Sequence, residues 1–128
     1  MNKIQALHSF WNGFGIPAFN EKSVPDESDR KTLYGSAFPY LTYEVSTNDF
    51  GNSLVQTASL WYRSSGWAEI VAKQLEIENV ITRGGKYVHY DDSAFWIGKS
   101  NPWAIQMGDE SDDMIRRIVL NVNIEFLE

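Results

Sequence analysis

The residues of this chain whose types could do chemistry are few and scattered. His8 and His89 are the only imidazoles, and neither has a second ligand at the spacing a metal site uses. His8 falls on the apolar stripe of a helical stretch and His89 within a strand-type run, so both read as structural. The absence of cysteine excludes disulfides and thiolate metal sites. The run Gly108-Asp109-Glu110-Ser111-Asp112-Asp113 gathers four carboxylates, enough oxygen to hold a hard cation. It lacks the alternating acids, central Gly and distal Glu of the helix-loop-helix calcium site, and reads instead as a solvated hairpin turn. Neither a metal nor a cofactor is expected.

Nucleophilic chemistry is no better supported. Ser64 and Ser65 stand between a strand and a helix, where a nucleophile elbow would, but the glycines of G-x-S-x-G are missing and helix capping accounts for both. Gly13-Phe14-Gly15 follows a helix, whereas a dinucleotide fingerprint must follow a strand. Seventeen acidic residues allow many carboxylate pairs, yet spacing does not set two of them across one sugar. The expectation is a protein that is not an enzyme, with no catalytic residues.

The feature that stands out is aromatic. Five Trp, seven Phe and six Tyr make up 14% of the chain, more rings than one small core readily encloses, so some belong in a partner interface or a ligand pocket. Trp61 and Arg63 alternate with the apolar residues of their strand and therefore project from the other side of the sheet. Trp96 and Trp103 flank residues 98–102 (GKSNP). These four are the candidate subunit-interface residues. A pocket enzyme or a sugar-binding module could use the same rings, and periodicity does not choose between them.

The elements that must position these residues follow from patterning. Ile4, Leu7, His8 and Trp11 recur at helical spacing and Gly13 and Gly15 end that helix. Residues 16–36 carry Pro17, Pro25 and a charged cluster with few apolar residues, and read as a long surface connection with a short extended piece at Ala18 and Phe19. Residues 38–45 (FPYLTYEV) form a strand with Leu41, Tyr43 and Val45 on one face. After a turn at 48–52, residues 54–63 return as its hairpin partner, with Leu54, Ala58, Leu60 and Tyr62 inward and Gln56 interrupting. Ser64 and Ser65 then open a helix that runs to about Asn79, with Trp67, Ile70, Val71 and Leu75 on its buried side and Glu69, Lys73 and Glu76 in water. Beyond Gly84-Gly85 come three short strand-type runs at 86–90, 93–98 and 103–107. A final strand follows in which Ile118, Leu120, Val122, Ile124 and Phe126 alternate with polar or smaller residues.

This order describes one α+β domain over residues 1–128, a mainly antiparallel sheet with helices packed on one face. The net charge of −6 argues against a protein that grips phosphate backbones, so no sequence-specific nucleic-acid binding is expected. The N-terminus lacks a signal-peptide core and no apolar run is long enough to span a bilayer, so the reading is a chain folded in the cytoplasm without a membrane partner.

Taken together, FPYLTYEV, ASLWYRSSGWAEIVAK and RRIVLNVNIEFLE resemble the small tail-terminator and head-tail joining proteins of siphophages and related prophages. The likeness covers about residues 38–128 and lies in a strand, a second strand ending in Trp and Arg, a Ser-opened helix and a long last strand. It implies a virion protein at the junction of tail and head, forming a ring of copies of itself, six by expectation. It further implies that the ring caps the major tail-tube protein, stops tail polymerisation and presents a surface to the head connector or stopper. The family supplies no catalytic motif to carry over. Other connector or tail-completion proteins share this size and class, and an aromatic-cleft ligand-binding or hydrolytic domain is the reading from a different class.

Overall fold

The computed structural model describes residues 1–47 and 52–127. The elements run α1 (Lys3–Trp11), a 3₁₀ turn (Asn12–Phe14), β1 (Ala18–Asn20), α2 (Glu27–Tyr34), β2 (Tyr40–Tyr43), β3 (Ser53–Arg63), α3 (Ala68–Ile81), β4 (Lys86–Tyr90), β5 (Ser93–Gly108) and β6 (Ile115–Phe126). The six strands form one sheet in the order β1-β2-β3-β6-β5-β4, antiparallel except for the short β1–β2 pair. The expected α+β class with a mainly antiparallel sheet is therefore the observed one. Residues 48–51 of the turn expected at 48–52 lie outside the described residues.

The last strand in sequence lies inside the sheet, between β3 and β5, and its long alternation presents one apolar face to the core along its whole length. Ile118, Leu120, Val122, Ile124 and Phe126 are all buried to within 1% of completely. Each such side chain contributes about 1.5–3 kcal/mol by leaving water. Leu41 and Tyr43 of β2, Ala58, Leu60 and Tyr62 of β3, and Phe95 and Ile97 of β5 share that face and join one core. Gln56, which interrupts the pattern, is buried there too and donates from Nε2 to the Ser46 carbonyl at 2.7 Å.

Helices α1 and α3 cover this face. α3 lies over the central strands β3, β5 and β6, whereas α1 touches both outer strands, β1 and β4, of the curled sheet. Asn2 caps α1 through a reciprocal bond pair with Gln5, and Leu7 and Trp11 enter the core. His8 is exposed rather than part of the buried stripe, and its Nδ1 meets the Tyr43 hydroxyl at 2.8 Å.

Several expectations need correction. Residues 16–36 are not merely a connection: Ala18 and Phe19 begin β1, and α2 follows, capped by the Asp26 carboxylate and closed by Gly35 at φ +79°. Its few apolar residues hide it from a periodicity argument, because its buried residue is Arg30. The runs 93–98 and 103–107 are one strand, β5, with a register irregularity between Lys99 and Ala104 where a loop was expected. Ser64 and Ser65 do not cap α3, which starts at Ala68 after Trp67 with no side-chain cap and ends at Ile81. The buried stripe of α3 is Ile70, Ile77 and Ile81. At 3.6 residues per turn Leu75 sits about 140° from that stripe and Lys73 only about 60° away. Leu75 is accordingly 47% exposed, while Lys73 is half-buried and donates to the Phe14 carbonyl at 2.6 Å.

Candidate subunit interface: the open face of the sheet

Because side chains alternate along a strand, every residue between the core positions of β6 projects to the other face, which α1 and α3 do not cover. The register assembles that face into rows. The first row crosses four strands, Met107–Arg117–Trp61–Tyr40, and the next is Ile105–Val119–Ser59–Thr42. Further along lie Asn121 opposite Thr57 and Asn123 opposite Val55. The face thus has an aromatic, cationic and apolar end and a polar end.

The first row is a stack. Tyr40 and Trp61 lie parallel within 8° with ring centroids 5.9 Å apart. The Arg117 guanidinium caps Trp61 at 4.6 Å, and the Arg30 guanidinium caps Tyr40 at 4.2 Å. Hydrogen bonds fix the order: Trp61 Nε1 donates to Thr42 Oγ1 at 3.0 Å, and Arg117 donates to Ser59 Oγ from Nε and Nη2. Arg30 reaches in from α2, 7% exposed, donating to the carbonyls of Ala37 (3.0 Å) and Pro25 (2.7 Å). Helix α2 therefore belongs to this side of the sheet, at its β1–β2 corner, with Tyr34 edge-on to Phe19. Burial of Tyr40 raises its hydroxyl pKa, the nearby Arg30 and Arg117 charges opposing that shift.

Of the four residues singled out from sequence, Trp61 and Arg63 do project to the open face. Arg63 pairs with Asp112 of the β5–β6 turn and, with Lys31, Glu27 and Phe38, lines a concavity of about 320 Å³. Trp96 is on the same face but far away: its β6 partner Glu125 is eight residues from Arg117, a separation of about 27 Å along a strand. Its indole lies over Gly85 and Gly98, where a Cβ on either glycine would overlap the ring. Trp96 thus clamps the turn after α3 onto β5 within one subunit. Trp103 sits in the irregular stretch of β5, half-buried against the core cluster. The rings of Trp61, Trp96 and Trp103 consequently do not line one cleft.

Sequence reasoning missed Tyr40, Arg30, Arg117, Ile105 and Met107. Arg117 and Tyr40 carried a usable signal, since each alternates with core residues as Trp61 does. Arg30 carried none.

The acidic turn holds itself together. Asp109 Oδ1 accepts from the Ser111 amide and hydroxyl, and Asp112 Oδ1 accepts from the Met114 amide at 2.9 Å. These bonds, led by the Ser111 hydroxyl for Asp109 and the Met114 amide for Asp112, hold both carboxyls below their usual pKa. Among the described residues no group of three His, Asp or Glu side chains is arranged to hold a metal ion. Comparison with family models, curated proteins and solved structures finds no match to this chain.

Proposed function

We propose that this protein is a ring-forming virion assembly subunit, a tail terminator that caps the tail tube of a long-tailed phage, stops its growth and joins it to the head. The observation that carries the reading is the open sheet face. A subunit in a closed ring needs two unlike surfaces for its neighbours and two more for the structures above and below it. This chain leaves the part of that face that carries Met107, Arg117 and Trp61 clear of α1 and α3, with α2 closing only the β1–β2 corner over Tyr40, and its two outer strands, β1 and β4, differ in length and direction of pairing. Aromatic and Arg side chains held in fixed orientations are the residues enriched at the energetic centres of protein contacts. The sequence resemblance suggests which assembly this is, and the open face supports a role in subunit contacts.

Electron microscopy of tails assembled with and without the protein tests this reading. Overlong tubes in its absence and a ring at the head-proximal end in its presence are the expected results. Tubes of normal length without it would overturn termination, and a stable monomer that consumes a small-molecule substrate would overturn assembly altogether.

A further inference from the structure

β5 is sixteen residues long, but β4 pairs only with its first five, ending where Lys86 faces Ile97. Past the irregularity, residues 104–108 have β6 on one side and, among the described residues, no backbone hydrogen bond on the other. Natural sheet edges are commonly guarded by a charge, a proline or a bulge. Here Pro102 and the bulge guard the preceding stretch, while Ala104-Ile105-Gln106-Met107-Gly108 carries none of the three. Ile105 and Met107 are 42% and 43% exposed on the open face. Gln106 is exposed on the other face, beside the buried Ile118 of β6.

We infer that this edge pairs with the same edge of a second copy, antiparallel about a two-fold axis through Gln106. The segment is self-complementary in that register. Ile105 of one copy faces Met107 of the other, twice, giving two apolar cross-strand pairs on the open face. Gln106 faces Gln106, whose amides each offer donor and acceptor, and Ala104 faces Gly108, so no bulky pair meets at the ends. A two-fold axis normal to the sheet keeps like faces together and allows shifts of two residues only. One such shift sets Ile105 against Asp109, and the other drives the pairing into the bulge. In the favoured register each acidic turn at 109–113 runs beside the other copy's residues 99–101, which carry the Lys99 ammonium. β4 ends opposite Ile97 and lies in line with the added strand without overlapping it. Such an isologous pair is distinct from a ring contact, and the inference does not rest on the terminator reading. It describes how free subunits cover an unguarded edge.

The chain has no cysteine, so one introduced thiol reports one contact. Opposed residues of antiparallel strands have Cα atoms about 4.5–5.5 Å apart, within disulfide reach. Gln106→Cys under mild oxidation is expected to give a covalent dimer, while Ser28→Cys, exposed on α2, stays monomeric. The wild type should sediment as a dimer with a concentration-dependent melting temperature, and the Ile105→Lys/Met107→Lys variant as a folded monomer, by circular dichroism, without that dependence. A wild type that remains monomeric at concentrations of about 100 µM, where even weak pairs form, would overturn the inference. So would a dimer that Gln106→Cys does not cross-link, or cross-linking of Ser28→Cys to the same extent. Free subunits that fail to cross-link at residue 106, although a ring still forms on tails, would sink this pairing and leave termination standing.

Discussion

The two faces of the central strand differ in everything except their backbone. On one, Ile118 through Phe126 are sealed beneath α1 and α3; on the other, Arg117, Val119, Asn121, Asn123 and Glu125 stay half-exposed within the same twelve residues. The covered face is held by apolar burial, which is non-directional and needs only volume and pattern. The open face is held by directional contacts: parallel rings, guanidinium caps and hydroxyl acceptors. What the difference teaches is that this subunit uses one face to fold and keeps ordered, polar-tipped aromatic surface on the other.

The sharpest way to break that comparison is a pair of adjacent substitutions in β6. Leu120→Ala, in the sealed core, is expected to cost about 2–5 kcal/mol in urea unfolding, whereas Val119→Ala next to it should cost at most about 1 kcal/mol. Equal losses would mean that the open face is covered too. Arg30→Met tests the corner that α2 protects. It removes two charge-assisted bonds and a cation-over-ring contact, leaves the Ala37 and Pro25 carbonyls without their donor, and should lower stability by about 2–3 kcal/mol. At the far end of the same face, Gly98→Ala drives a methyl into the Trp96 indole and should cost about 1–3 kcal/mol. In a Trp96→Leu background most of that loss should vanish, and a double-mutant cycle reads the coupling.

The smallest effect at neutral pH concerns the covered face. Tyr62, beneath α3, has its pKa pushed up from 10.0 to about 12 by burial first and then by Glu69 and Glu76. The folded state therefore keeps this proton where the unfolded chain gives it up. The corresponding stability is complete below pH 10 and is lost as the pH rises to about 12. Ultraviolet titration should show a late-ionising tyrosine that Tyr62→Phe removes, and the substitution should flatten the alkaline loss of stability. A Tyr62 that ionises with the exposed tyrosines would contradict its burial.

How much of this was legible in the sequence depended on which force set each element. The strand at residues 118–126, the β2–β3 hairpin with Gln56 turned inward, and the projection of Trp61 and Arg63 all follow from period-two alternation. α2 was invisible because it buries an arginine rather than an apolar stripe. The buried side of α3 was read correctly at Ile70 and, partly buried, at Trp67 and Val71, but Leu75 was put there in place of Ile77 and Ile81, although the isoleucines at 70, 77 and 81 fall within a narrow angular sector. The two strands expected on either side of residues 98–102 were one strand, because a bulge with a proline resembles a turn in sequence.

Of the candidate interface residues, sequence could say that Trp61 leaves the core but not what it meets. Alternation assigns a side chain to a face; it does not assign a neighbour, because neighbours across a sheet come from strand order and register. Here β6 inserts between β3 and β5, and that insertion sets Arg117 against Trp61, carries Trp96 some eight residues away, and leaves residues 104–108 without a second strand among the described residues. The sequence by itself determined the class of fold, the core faces of β2, β3 and β6 and the surplus of rings. Only the tertiary structure decided which rings serve the subunit and which remain on its open face, because that choice is made by contacts between residues distant along the chain.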